Sequence, residues 1–270
     1  MARARRLDEG VMSVSTNPWE ALRRFTDARI ALGRAGSSVP TAPLLAFGLA
    51  HAQARDAVHR PLDVDALQGA LLSKGYASVA VRSAASTRDV YLRRPDLGRA
   101  LSEESATSLE SRVESHAKNA DLVFVIADGL SANAASTHAL PLIERTIARL
   151  DGWRIGPVVI ATQARVALGD CIGSILKARI VAVLIGERPG LSSPASLGVY
   201  VTYDPVRGRS DAERNCISNV RPEGLAYDAA AFKLAYLLNE ARARKLTGVG
   251  LKDDSATALP QRTTDRLSNA

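Results

Sequence analysis

The stretch IVAVLIGERPGL, from Ile180 to Leu191, decides the fold that we predict for this chain. Its first residues are apolar without interruption and mostly β-branched, and a Gly, a Glu-Arg pair and a Pro-Gly turn follow directly. An apolar run without alternation is typical of a strand that is covered on both faces, as in the middle of a parallel sheet. Ligands of such sheets bind beyond the carboxyl ends of the strands, where Glu187 and Arg188 would lie. A solvated turn whose charges pair with each other fits the pattern equally well.

The composition of the 270 residues is that of a globular protein, since 46% of them are hydrophobic. No apolar run reaches the ~18 residues of a membrane span, and the first residues lack the apolar segment of a secretory signal. We therefore expect a cytoplasmic protein without membrane association. The two cysteines exclude a disulfide framework, and they form no metal-ligand spacing with the four histidines, so that no metal site is expected.

The net charge of +7 is spread along the chain, with local concentrations only at residues 1–6 and 241–245. Proteins that bind nucleic acids usually cluster their positive charge and interleave aromatic residues for stacking, whereas aromatic residues make up 4% of this chain. We therefore do not expect a nucleic-acid partner. The charge favours an acidic partner protein or a phosphate-bearing ligand.

The hydrophobic patterns predict four successive segments. Residues 1–16 are polar and Arg-rich, which predicts a flexible arm, and residues 251–270 predict a disordered tail. Residues 17–104 predict a mainly helical N-terminal docking region, with helices at 17–33, 41–59 and 62–74, a short strand at 78–82 and an extended segment at 89–99. Residues 105–250 alternate strands with helices, which predicts an α/β fold with a Rossmann-like parallel sheet and helices on both faces.

The loops that follow the strands of a parallel sheet lie along one edge. In this chain those loops are predicted at 128–131, 163–166, 187–190 and 215–219, and their polar and Gly residues predict a binding site. The sequence has no G-x-G-x-x-G after the first strand of residues 105–250 and no G-x-x-x-x-G-K-[ST], which disfavours the usual dinucleotide and P-loop modes of binding.

Catalytic pairs are not evident near that edge. Ser131 precedes His138 by two helical turns and has no G-x-S-x-G elbow, which disfavours a hydrolase triad. The carboxylates of Asp128, Asp170 and Glu187 have no partners at a fixed spacing. We therefore predict no catalytic residue in this chain, and a binding role in which a cofactor or another chain supplies the chemistry.

Several motifs together resemble the small (light) subunit of ethanolamine ammonia-lyase. They are FTDARIALGRAG at 25–36, RRPDLGR at 93–99, VIADGLSA at 125–132, GERPGLSSPASL at 186–197 and RNCISN at 214–219. Each motif alone is weak, but their order and number over residues 17–252 make the resemblance specific. It implies a subunit of an adenosylcobalamin-dependent lyase that converts ethanolamine to acetaldehyde and ammonia by a radical mechanism. It also implies a large subunit whose TIM barrel binds the substrate.

The resemblance further implies which residues contact the cofactor. By position, the family's adenosylcobalamin contacts fall on Val166 in QARVALGD, Glu187 in GERPGL and Cys216 in RNCISN. We add the hypothesis that Arg188 supports the Glu187 carboxylate or binds a phosphate. The chain lacks D-x-H-x-x-G, the motif with which some cobalamin domains supply a histidine to cobalt, so the cofactor is expected to keep its own base.

The sequence leaves two questions open. The favoured hypothesis is an obligate subunit that clamps adenosylcobalamin against the large subunit in a hetero-oligomer. The alternative is a stand-alone cobalamin- or flavin-type binding module without lyase activity. Whether the complex is enclosed in a bacterial microcompartment within the cytoplasm also stays open.

Overall fold

The computed structural model describes residue 15 and residues 17–116 and 120–255. The chain divides into two compact units: the smaller comprises Met1–Asp56 with Gly190–Pro194, and the larger comprises Ala57–Pro189 with Ala195–Ala270. The arm predicted for residues 1–16, apart from Ser15, lies outside the described residues. So does the part of the predicted tail that follows Ser255.

The smaller unit begins with a 3₁₀ helix at Pro18–Phe25. The Asn17 side chain accepts a hydrogen bond from the Trp19 backbone N–H at 3.0 Å and thereby caps this helix. The predicted helix at 17–33 is too long, because residues 26–33 are not helical. Helix α1 (Thr41–His59) matches its predicted bounds and leaves Leu45 and Leu49 exposed.

The larger unit is an α/β structure built on a six-stranded mixed sheet. Its strands are β1 (Ser78–Arg82), β2 (Leu122–Ala127), β3 (Val158–Thr162), β4 (Ile180–Gly186), β5 (Leu197–Tyr203) and β6 (Asn215–Val220). They lie in the order β1-β3-β2-β4-β5-β6. The first four are parallel to one another, whereas β5 is antiparallel to β4 and β6 is antiparallel to β5.

Helices cover both faces of this sheet. One face packs against α2 (Val64–Ser73), α5 (Ala132–Ile147) and α7 (Tyr227–Arg244). The other face packs against α4 (Glu103–His116) and α6 (Leu168–Ile175). A further short helix, α3 (Arg88–Arg93), follows β1. The all-apolar strands β2 and β4 are buried along their whole length between the two layers, as their sequences predict.

The structure corrects the prediction of an all-parallel, Rossmann-like sheet. The connection at 187–196 is shorter than the roughly twelve residues that a parallel crossover needs, and β5 returns antiparallel beside β4. The predicted loop at 215–219 is wrong as well, since these residues form most of β6.

The segment from 17 to 104 also differs locally from its predicted elements. Residues 89–99 are not extended, because they contain most of α3, whose Val90 N–H donates to the Thr87 hydroxyl at 3.3 Å. Strand β1 has its predicted bounds and pairs with β3, so the sheet reaches into a segment that we assigned to the docking region.

Candidate functional site

Among the described residues, one face of the sheet is accessible at Tyr200 on β5 and at Cys216 and Ser218 on β6. Helix α6 lies close over β4, since a Cβ added to Gly169 would collide with the Val183 side chain. Val183 pairs with Tyr200 on β5, and Tyr200 pairs with Cys216 on β6. Tyr200 is half-buried and Cys216 is exposed. We call the surface formed by Tyr200, Cys216 and Ser218 the open face.

Val166 lies at the start of α6, on the same side of the sheet as the open face. It is partly buried and, like Tyr200, packs against the core that contains Val183 and Ile185. The turn that leads to it is fixed by Asp128, whose carboxylate accepts the backbone N–H groups of residues 163 and 164 at 2.8 and 3.0 Å. Burial raises the pKa of Asp128, while these donors and a nearby arginine act to lower it.

Glu187 follows β4, and its carboxylate is held at the rim of the open face. Its Oε2 accepts the Ser196 hydroxyl at 2.6 Å and the Asn219 backbone N–H at 3.2 Å. Its Oε1 lies 3.1 Å from the position that a Cβ on Gly198 would occupy, so the carboxylate fills the space left by that glycine. Among the described residues, Arg188 is not a partner of this carboxylate and its side chain is exposed, which contradicts the predicted support.

Cys216 is the second residue of β6 and lies on the open face. Its Sγ lies 3.4 Å from the Ser218 hydroxyl, and the residue is exposed. The neighbouring Tyr200 pairs with Cys216 and lies near the Glu187 carboxylate. Burial, followed by the nearby Cys216 and Glu187, raises the pKa of Tyr200 and keeps its phenol neutral.

The structure thus places Val166, Glu187 and Cys216 on the same side of the sheet as Tyr200. Tyr200 was not predicted from the sequence; its side chain faces opposite to the buried Val199 and Val201.

A buried ion pair, also missed from the sequence, connects α6 to the start of β6. Arg214 donates to the two carboxylate oxygens of Asp170 at 2.6 and 2.8 Å and to the Thr202 hydroxyl at 3.0 Å. Both charged side chains are 1% exposed. Burial raises the pKa of Asp170, and the hydrogen bonds from Arg214 oppose that rise. The pair therefore fixes the helix that begins beside Val166 relative to the strand that carries Cys216.

Ser131 and His138 do not form a catalytic pair. The Ser131 hydroxyl accepts the Ala134 N–H at the start of α5, whereas His138 is buried. The ring nitrogens of His138 lie 2.7 Å from the Tyr227 hydroxyl and 3.3 Å from the Ala195 carbonyl oxygen. Within the described ranges, no cluster of three or more His, Cys, Asp or Glu residues is suited to a metal ion. No helix in these ranges is long and apolar enough to span a membrane.

The mixed sheet and its open face define an α/β protein with a candidate ligand-binding surface. A family model described as Ethanolamine ammonia-lyase light chain (EutC) matches residues 16–252. The chain therefore belongs to the family of ethanolamine ammonia-lyase light chains, as its motifs suggested.

Curated relatives agree with this family. The chain is similar to the ethanolamine ammonia-lyase small subunit of Azotobacter vinelandii, with 57% identity over 244 residues that cover 90% of each chain. It is 55% identical to the small subunit of Ralstonia nicotianae over 254 residues, which cover 93% of this chain and 94% of the relative. The small subunit of Xanthomonas campestris pv. campestris is likewise 55% identical over 254 residues.

Proposed function

We infer that this chain is the small subunit of an adenosylcobalamin-dependent ethanolamine ammonia-lyase and binds the cofactor at its interface with a large subunit. The reaction of this enzyme is the conversion of ethanolamine to acetaldehyde and ammonia. Membership of the light-chain family supports the subunit role. The grouping of Val166, Glu187 and Cys216 around the open face is the observation that carries the cofactor role.

The open face suits a large, flat ligand with peripheral amide groups. Cys216 and Ser218 are short, exposed side chains, so the strand that carries them admits a bulky group. Val166 and Tyr200 offer partly buried apolar surface beside it. The described donors engage Oε2 of Glu187 more closely than Oε1, which leaves a carboxylate oxygen to accept an amide N–H. When bound, adenosylcobalamin supplies the radical chemistry, and the residues of this chain bind and orient it.

A ligand on the open face would be contacted by this chain on one side only, which favours a site that another chain completes. A ligand-binding pocket usually buries most of the surface of its ligand, and a sheet face without an opposing wall does not. The smaller unit supports a partner chain independently, since Trp19, Phe25 and Leu45 are 62%, 72% and 68% exposed. We propose the large subunit as this partner and as the chain that binds ethanolamine, with the complex located in the cytoplasm.

Glu187→Ala tests the cofactor role. In the complex with the large subunit, it should raise the dissociation constant of adenosylcobalamin about 10- to 150-fold, which corresponds to the ~1.5–3 kcal/mol of a hydrogen bond to a charged group. Absorbance titration measures the constant. Glu110→Ala, at an exposed position of α4, is the matched control and should leave it unchanged. An unchanged constant for Glu187→Ala removes Glu187 from the site.

Corrinoid retention separates this function from a stand-alone module. After gel filtration, the complex should retain adenosylcobalamin in proportion to this chain and turn over ethanolamine, whereas the chain alone should retain little. Stoichiometric corrinoid or flavin on the chain alone, with no effect of the chain on ethanolamine turnover, would establish the stand-alone module instead.

A further inference from the structure

A cleft of about 570 Å³ lies beside the start of α6. Its walls are residues 95–96 and 99–100, residues 165–167, and residues 207–211 with Arg214. Its charged lining consists of Arg99, Arg165, Arg207, Arg209 and Arg214 against Asp96 and Asp211. Val166 lines this cleft and packs against the same core as Tyr200, so the cleft lies on the same side of the sheet as the open face. We call it the arginine cleft.

The positive charge of the arginine cleft is only partly compensated. Arg209 and Arg214 each form an ion pair at 2.6 Å with a carboxylate. Arg99, Arg165 and Arg207, by contrast, have no carboxylate partner within 4.0 Å in the part of the chain that the structure describes. Asp96, one of the two acidic residues of the lining, is engaged by Arg94 at 2.6 Å. The cleft therefore presents uncompensated guanidinium groups to a ligand.

Arg165 is held in place before any ligand binds. Its guanidinium carbon lies 4.3 Å from the centre of the Tyr91 ring, and Tyr91 is fully buried. Its backbone N–H donates to the Gly98 carbonyl at 2.8 Å, which fixes the two walls of the cleft relative to each other. Its Nε is buried and has no hydrogen-bond partner among the described residues. The stacking on Tyr91 and the backbone hydrogen bond therefore position the Arg165 side chain in the lining of the cleft.

We propose that the arginine cleft binds a phosphate group and, resting on the proposed function, that this group is the phosphodiester in the nucleotide tail of adenosylcobalamin. Guanidinium groups match phosphate oxygens in charge and in hydrogen-bond geometry. The cleft shares Val166 with the proposed cofactor contacts, and Arg214 precedes Cys216 by two residues, so a ligand on the open face reaches the cleft. Ethanolamine carries a positive charge and does not suit the cleft.

The test compares corrinoids with and without the phosphate, using the complex of the full-length chain with its large subunit. The probes are adenosylcobalamin, cobinamide, which lacks the nucleotide tail, and cobinamide phosphate. The wild-type complex should bind cobinamide phosphate about tenfold or more tightly than cobinamide. The double variant Arg99→Ala/Arg207→Ala should lose most of this difference and keep its cobinamide constant within about twofold. Arg207→Lys should retain part of the difference, because it keeps the charge and loses the planar fork.

A matched control and three further outcomes complete the test. Arg60→Ala, at an exposed position outside the cleft, should change none of the three constants. Equal weakening of cobinamide and cobinamide phosphate in the double variant overturns the phosphate site and leaves the proposed function standing. The double variant could instead assemble poorly with the large subunit and still prefer cobinamide phosphate to cobinamide. This outcome assigns the arginines to an acidic segment of that partner and also overturns the proposal. A wild-type complex that binds none of the corrinoids overturns the proposed function as well.

Discussion

The two faces of the sheet in the larger unit differ in how far their helices extend. On one face, α5 and α7 reach β5 and β6, and the inward residues Leu197, Val199 and Ile217 are at most 4% exposed. On the other face, α4 and α6 cover the sheet as far as β4, and Tyr200 and Cys216 remain accessible. The candidate site therefore lies where a helix layer ends over antiparallel strands, and not in a crevice between parallel strands.

The buried pair of Asp170 and Arg214 gives the test with the largest expected effect. It joins α6, which covers part of one face of the sheet, to β6, which carries exposed residues on that face. Arg214→Met leaves the Asp170 carboxylate buried without its partner and should lower the free energy of unfolding by about 3–5 kcal/mol in urea denaturation. Asp170→Leu added to Arg214→Met should recover much of the loss, since two apolar side chains replace the pair. Arg209→Met, at a more exposed pair, is the control and should cost about 1 kcal/mol or less. A loss below that of the control would show that packing alone holds α6 to β6.

Neighbouring residues of β6 test the two faces directly. Ile217 is 4% exposed and points to the covered face, whereas Ser218 is exposed on the open face. Ile217→Ala should lower the free energy of unfolding by about 2–5 kcal/mol, because it removes buried methyl groups and leaves a cavity. Ser218→Ala should change it by less than about 0.5 kcal/mol. Similar losses at the two positions would contradict the assignment of an open face.

Replacing a glycine by alanine should change the stability of the protein in opposite directions in α6, which lies close to the sheet, and in α2. Gly169→Ala should destabilise the protein by about 1–3 kcal/mol, because the added methyl group meets the Val183 side chain inside the core. Gly69→Ala, in the interior of α2, has nothing within 4 Å of the new methyl group and should stabilise by roughly 0.5–1 kcal/mol. Thermal unfolding of the two variants measures both effects, and equal signs would show that α6 tolerates displacement.

His138, on a helix that packs against the covered face, should make the stability of the folded protein depend slightly on pH. Burial lowers the pKa of His138 below its ordinary value of 6.5, so the folded protein binds this proton less readily than the unfolded chain. The contribution of His138 to stability is therefore complete above pH 6.5 and is lost as the pH falls through the lowered pKa. His138→Gln should flatten the acid side of a plot of melting temperature against pH, whereas His51→Gln, at an exposed position, should not. A slope that His138→Gln leaves unchanged assigns the acid sensitivity to other groups.

Local sequence patterns predicted most elements because each is dominated by one physical signal. The uninterrupted apolar runs formed β2 and β4, and the helix predicted at 41–59 matches α1. The direction of β5 was missed because strand polarity depends on the connection and not on the strand. The absence of any helical pattern at 187–196 was the available signal. Strand β6 was missed because NCISNV is mostly polar, which an edge strand with one open face permits.

Only those residues of the candidate site that follow a strand in the sequence could be predicted from the strand pattern. Val166 and Glu187 come directly after β3 and β4, and the resemblance to a known family selected them together with Cys216. Tyr200 and the pair of Asp170 with Arg214 depend on contacts between elements far apart in the sequence, which a pattern in one segment does not contain. The arginines of the cleft that lack a carboxylate partner could not be predicted from the sequence, because identifying them requires the positions of all neighbouring carboxylates.

The reversal of β5 gives the open face two chemically opposite ends. Strand β5 enters beside Gly186 and leaves beside Ile180, so the chain segments at its two ends border the same patch from opposite directions. One end carries the acceptor oxygens of Glu187, and the segment that leaves the other end carries the guanidinium of Arg207. We therefore expect a ligand that offers amide donors at one extremity and an anion at the other to bind there in a single orientation.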